Sequence, residues 1–153
     1  MNGAPGAENP RQFALALGLG CDRGTPAATI NQAISEALAA CGGQPSDVRA
    51  VASIDLKADE AGLLQVARER AWCIHFYAAA ELAAVDVPNP SETVRRHTGS
   101  ASVSEAAALL AAGADKADLI VEKHKLRGPD GRNATISIAR IHQRAQMSTD
   151  ERQ

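Results

Sequence analysis

The chain has 153 residues and a mass of about 15.9 kDa, enough for one compact domain with a buried core and too little for two. With 45% apolar and 22% charged residues it is neither collagen-like, fibrous nor disordered, and 16 Lys+Arg against 18 Asp+Glu (net −2) leave no basic footprint for nucleic-acid phosphates. Alanine supplies 32 residues and aromatics 3%, so helices should pack through small side chains, with no aromatic platform for stacking bases.

Residues 1–12 are Gly, Pro, Ala and polar, and residues 142–153 are nearly all polar. Neither end buries enough apolar area to offset the entropy of ordering, so both are expected to be frayed tails around one domain over 13–141. Phe13 to Gly20 is an apolar run that reads as a buried strand, and it enters the glycine-flanked loop Cys21-Asp22-Arg23-Gly24. Thr25 is placed to cap a helix with Pro26 at its first position, and Ile30, Ile34, Ala37, Leu38 and Cys41 recur on one face until Gly42-Gly43.

A second unit repeats the plan: Val48 to Ile54 is a strand, Asp55 to Ala58 a connection, and Asp59 caps a helix carrying Leu63, Leu64, Val66, Ala67 and Ala71. Cys73 to Tyr77 is a third strand, followed by a helical stretch from Ala79 to Val85. Three strands each followed by a helix require crossover connections, hence parallel pairing. Asn89-Pro90-Ser91-Glu92 opens a short helix to about His97, and Ser102-Val103-Ser104-Glu105 forms a capping box for a helix from Val103 to Ala112, which Gly113 ends. Leu119 to Val121 and the alternating Ala134 to Arg140 flank Gly128-Pro129-Asp130-Gly131 as two antiparallel strands. The expected fold is α/β: a three-layer α/β/α sandwich with a mixed, mainly parallel sheet and an antiparallel edge.

No apolar run approaches the roughly 18 residues that cross a bilayer, and Met1 to Gly6 lacks the basic start and apolar stretch of a secretion signal, so a cytoplasmic protein is expected. Cys21, Cys41 and Cys73 are odd in number and widely spaced, which suggests reduced thiols. No metal-ligand spacing is visible and no cofactor is expected. The glycines from Gly18 to Gly24 fit neither the dinucleotide fingerprint nor the P-loop.

The sharpest local feature is Gly20-Cys21-Asp22-Arg23-Gly24-Thr25, a strand end feeding a helix, where backbone N–H groups and a guanidinium favour an anion. The same residues also read as a tight turn with Thr25 capping its own helix. Ser53, Asp55 and Lys57 stand at the next strand end, where ligands bind in open α/β sheets, although Asp55 and Asp59 could equally satisfy backbone amides around a solvated Lys57. Cys21 near a helix start is a candidate nucleophile with no base close in sequence, and otherwise a small buried filler. Arg95, Arg96 and His97 read as a solvated helix end, and His75 in its apolar strand as a hydrogen-bonded core histidine.

Taken in order, Gly18 to Thr25, Ser53 to Glu60, Asn89-Pro90-Ser91 and Ser102 to Ala108 resemble the cobalamin-biosynthesis family comprising CobE and the C-terminal domain of CbiG. The resemblance covers residues 13 to 141 and is nearer to the stand-alone CobE members of the aerobic vitamin B12 pathway. Ser53 stands where threonine is frequent, Ala78 where a serine often caps the next helix, and the Arg127 to Asn133 turn is longer than usual, so no function is placed there.

The resemblance implies binding or carriage of a precorrin or related corrin-ring intermediate. Gly20, Cys21, Asp22, Arg23, Gly24, Thr25, Ser53, Asp55, Lys57, Asn89, Ser91 and Ser102 form the expected ligand-binding set. Such intermediates carry acetate and propionate carboxylates around a wide apolar ring, which suits backbone amides, Arg23 and Lys57 with Thr25 and Ser53 as hydroxyl donors. The alternative is a hydrolase opening a precorrin lactone with release of a small aldehyde. In it Asp55 or Glu60 positions water, Cys21 is a further catalytic candidate, and the Gly20 to Thr25 amides hold an oxyanion. A third reading is a non-catalytic partner of other cobalamin-pathway enzymes.

Overall fold

A computed structural model describes residues 14–88 and 102–142. The expected tail 1–12, the expected tail 142–153 apart from His142, and the expected helix from Asn89 to His97 lie outside the described residues. In chain order the elements are β1 (Ala14–Cys21), α1 (Ala27–Ala40), β2 (Val48–Ile54), α2 (Ala61–Arg70), β3 (Ile74–Tyr77), α3 (Ala79–Ala83), α4 (Ser102–Ala112), β4 (Leu119–Arg127) and β5 (Asn133–Ile141).

One five-stranded sheet runs in the order β3-β2-β1-β5-β4. β1 pairs parallel with β2, and β2 with β3, as crossover connections demand. β5 lies antiparallel beside β1, from Ala14 opposite Ile141 to Cys21 opposite Ala134, and forms a hairpin with β4. The expected mixed α/β fold is therefore the one found. The carboxyl ends of β1, β2 and β3 share one end of the sheet with the β4–β5 turn.

Period-two alternation gives each face its own core. Leu15, Leu17, Leu19, Val51, Ile136 and Ile138 point to one side, where Ile30, Ile34 and Leu38 of α1 and Leu63 and Val66 of α2 cover them. Ala52, Ile54 and Ala139 point to the other, beneath Leu82 of α3 and Val103, Ala107 and Leu109 of α4. The alanine-rich composition acts here through α4, which lies with its backbone on β1. A Cβ at Gly18 would sit 1.9 Å from the Ser104 carbonyl oxygen and 2.7 Å from the Ala108 nitrogen.

Several local expectations are corrected. α1 begins at Ala27 with Pro26 as its N-cap and no side-chain cap, because the Thr25 hydroxyl donates backward to the carbonyls of Asp22 at 2.7 Å and Asn133 at 3.2 Å. Glu60, not Asp59, is the N-cap residue of α2, and it makes no side-chain cap. α4 opens at Ser102, one residue early, and Glu105 is fully buried. His75 is not in the core: β3 is an edge strand, and the exposed imidazole lies 4.2 Å from the Tyr77 ring centroid. Among the described residues no helix is long and apolar enough to cross a membrane.

Candidate functional site

Three segments meet at the carboxyl ends of the parallel strands: the β1–α1 loop, the β2–α2 connection and the β4–β5 turn. The Asp22 amide donates to the Asn133 carbonyl at 3.0 Å, and Asp22 Oδ2 accepts from the Asn133 backbone N–H at 2.8 Å and from its Nδ2 at 3.0 Å. The Thr25 amide donates to the Asp22 carbonyl at 3.1 Å. The Gly24 amide donates to Glu60 Oε2 at 2.9 Å, with Gly24 at φ +85°, a left-handed conformation that glycine adopts without strain. The expected receptor of converging amides is overturned by these bonds. Asp22, Gly24 and Thr25 spend their N–H groups inside the protein, and a carboxylate already occupies the place proposed for an anion.

The hydroxyls are also internal. Ser53 is fully buried and donates to the Leu19 carbonyl at 2.7 Å, locking β2 to β1, while buried Thr25 closes its own loop. Both hydroxyl protons are committed to internal carbonyls. Both follow a rule the sequence could not apply: a buried hydroxyl takes the nearest acceptor.

The cations behave differently from each other. Arg23 is 62% exposed in its side chain but engaged: Nη1 lies 3.2 Å from Asp59 Oδ1 and 3.2 Å from Glu60 Oε1, and Nη2 donates to the Leu56 carbonyl at 3.4 Å. The Asp59 hydrogen bond, with the Asp59 and Glu60 charges, raises its pKa further. Lys57 closes the short 3-10 turn Asp55–Lys57, half-buried; its carbonyl accepts from the Glu60 amide at 2.9 Å, while its ammonium makes no ion pair or hydrogen bond among the described residues. Beside it Leu56 is 54% exposed and Asp55 faces solvent.

Of the three catalytic candidates two are disarmed. The Cys21 thiol is pushed up to about 11, by burial above all; the Lys57 charge and a Thr25 hydrogen bond pull it down, while Glu60 and Asp22 push it higher. A thiol so raised is protonated near neutral pH, the less nucleophilic form. Glu60 is 2% exposed, with Oε2 accepting from the Gly24 amide and Oε1, which has no hydrogen-bond partner among the described residues, in an ion pair with Arg23 at 3.2 Å, so burial withdraws it from the solvent water a base would activate. Asp55 alone is open to solvent. Among the described residues no group of three or more His, Cys, Asp or Glu could hold a metal ion. Asn89 and Ser91 lie outside the described residues, and Ser102 opens α4. Asn133 and Arg132, whose Nε donates to the Arg23 carbonyl at 3.0 Å, were not legible as parts of the site, because 111 and 109 positions separate them from Asp22 and Arg23.

The family model described as "Cobalamin synthesis G C-terminus" matches residues 15–139. The chain belongs to this family. It is 41% identical over 131 residues to "Cobalt-precorrin-5A hydrolase" of Priestia megaterium, an alignment covering 86% of this chain and 33% of that protein. The chain thus spans about a third of that relative's length. It is 46% identical over 111 residues to "Protein CobE" of Sinorhizobium sp, covering 71% of each.

Two crystal structures share the fold. That of CobE, from the cobalamin biosynthetic pathway, has a TM-score of 0.66 at 36% identity, covering 84% of this chain and 90% of that one. The cobalamin biosynthesis protein chiG of Agrobacterium tumefaciens has a TM-score of 0.60 at 32% identity, covering 82% and 97%. The chain is a cobalamin-biosynthesis protein of the CobE and CbiG family.

Proposed function

We propose that the protein binds a corrin-ring precursor of cobalamin at the carboxyl ends of β1 and β2, holding or passing it between pathway enzymes. The observation that carries this reading is the pairing of Lys57, a half-buried ammonium free of partners among the described residues, with the exposed side chain of Leu56. A cation beside apolar surface matches a ring whose plane is apolar and whose edge bears carboxylates. With the amides occupied, the acid arms are read by side chains. Lys57 contributes more than Arg23, whose charge Asp59 and Glu60 already balance.

Titration with hydrogenobyrinic acid, followed by its visible absorbance, tests the reading. Saturable binding is expected, weakened roughly tenfold by Lys57→Ala, the loss of about 1.5 kcal/mol for a charge-assisted hydrogen bond, and less by Arg23→Ala. Absence of saturation, or indifference to Lys57→Ala, would reject it.

A hydrolase is the second reading, favoured by the 41% identity to the Priestia megaterium protein. With Cys21 protonated and Glu60 engaged, Asp55 is the remaining candidate to position water. Release of acetaldehyde from a lactone-bearing precorrin by the purified chain, abolished by Asp55→Asn, would favour it over binding alone.

A further inference from the structure

The β4–β5 hairpin from Leu119 to Asn133 carries four Lys or Arg residues against two acidic ones, in a chain of net charge −2. Leu126 packs into the core under α1, and His124 reaches Glu36 of α1 at 2.7 Å. Side chains alternate along a strand, so Lys125 and Arg127 point to the opposite face, the one α4 covers over β1, β2 and β5 and in part over β4. Both are exposed, and neither side chain makes an ion pair or hydrogen bond among the described residues. Two residues apart on one strand, their Cα atoms stand about 7 Å from each other. Across the sheet Lys125 is level with Thr135 and Gly20, and Gly20 offers no side chain.

The hairpin is continuous with the site. Arg132 Nε holds the Arg23 carbonyl, Arg23 holds the Leu56 carbonyl, and Leu56 adjoins Lys57. From β2 to β4 is three strand spacings, roughly 14 Å. A planar tetrapyrrole with acid arms on opposite edges spans such a distance.

We infer that Lys125 and Arg127 form the second cationic edge of the site and grip carboxylates of the corrin precursor on the side away from Lys57. The inference rests on the corrin-binding reading above and adds the residues that set affinity at the far edge. Charge complementarity selects the occupant: two exposed cations whose side chains have no partner among the described residues call for a multiply charged anion.

Titration of the full chain with hydrogenobyrinic acid, and with its neutral heptamethyl ester, tests it. Lys125→Ala/Arg127→Ala should weaken the acid at least tenfold and flatten the salt dependence of binding. Arg49→Ala/Arg68→Ala, which removes equal charge elsewhere, should leave affinity unchanged, and the ester should bind wild type and the hairpin variant alike. If wild type binds the acid and both double variants bind it equally well, or lose affinity equally, the hairpin assignment is wrong and the binding reading stands. If wild type does not bind the acid, both fall. A concentration-dependent dimer in sedimentation that Lys125→Ala/Arg127→Ala abolishes, with acid binding intact, would assign the strip to a second copy of the chain and overturn the inference.

Discussion

Glu60 and Gly24 are joined by a 2.9 Å hydrogen bond from the glycine amide to the carboxylate, across 36 positions of sequence. The bond ties the start of α2 to the loop before α1, so two strand–helix units that share a parallel pair are also fastened beyond the carboxyl ends of their strands. A carboxylate nearly out of water needs such donors, because its desolvation is otherwise uncompensated. Here one oxygen has the amide and the other the Arg23 guanidinium.

Glu60→Ala should therefore lower stability by about 1–3 kcal/mol, the loss of a part-buried hydrogen bond to a charged acceptor. Glu60→Gln keeps an acceptor for Gly24 and loses the interaction with a largely exposed Arg23, so it should cost less. Urea midpoints at neutral pH read the order; equal losses in both variants would show that charge, not the amide bond, matters.

The apolar pattern made the parallel half of the fold legible: β2 falls where Val48 to Ile54 placed it, and Ile30, Ile34, Ala37 and Leu38 of α1 are all buried. β4 was legible only to Val121. Its remainder, Glu122 to Arg127, is mostly charged, since an edge strand beside a bulge need not bury its outer face. At the site, residue type was legible and partner choice was not. Thr25 has the chemistry of a cap, yet the Asp22 carbonyl is closer to hand; Asp59 and Glu60 are both acidic, and only packing decides which is buried. The burial of Glu60 rests on a contact 36 positions away, and the second acceptor of Thr25, the Asn133 carbonyl, lies 108 positions away, separations that no local window contains.

Gly18→Ala tests how closely α4 approaches the sheet. The added methyl would lie 1.9 Å from the Ser104 carbonyl oxygen, backbone against backbone, so the helix must lift away from β1. A loss of more than about 4 kcal/mol, or failure to fold, is expected, against about 1 kcal/mol for an ordinary substitution. Gly20→Ala is the control, because its nearest neighbour would be the Thr135 Cβ at 3.9 Å. Similar thermal midpoints for the two variants would contradict this packing.

Cysteine reactivity should separate the three thiols. Cys73 is exposed, whereas burial raises both Cys21, to about 11, and Cys41. Thiolates are the reactive form, so at pH 8 a maleimide or disulfide reagent should label Cys73 first and Cys21 at least tenfold more slowly. Labelling of Cys21 should accelerate as pH approaches 11. Mass mapping of singly labelled protein checks the order, and early modification of Cys21 would restore its candidacy as a nucleophile.

The Glu36–His124 contact fastens α1 to the edge strand and gives stability a defined pH dependence. His124 Nε2 lies 2.7 Å from Glu36 Oε1, and its hydrogen bond, followed by one from Gln32, lowers the Glu36 pKa. A carboxyl lowered on folding contributes stability that is fully present above its unfolded value, about 4.3, and that is lost as pH falls through the lower folded value. Urea midpoints measured from pH 6 downward should therefore decline for wild type, and His124→Ala should start lower and decline less steeply over the same interval. Parallel curves would mean that the contact, though short, adds no proton-linked stability and that α1 and β4 are held by Leu126 and its apolar neighbours alone.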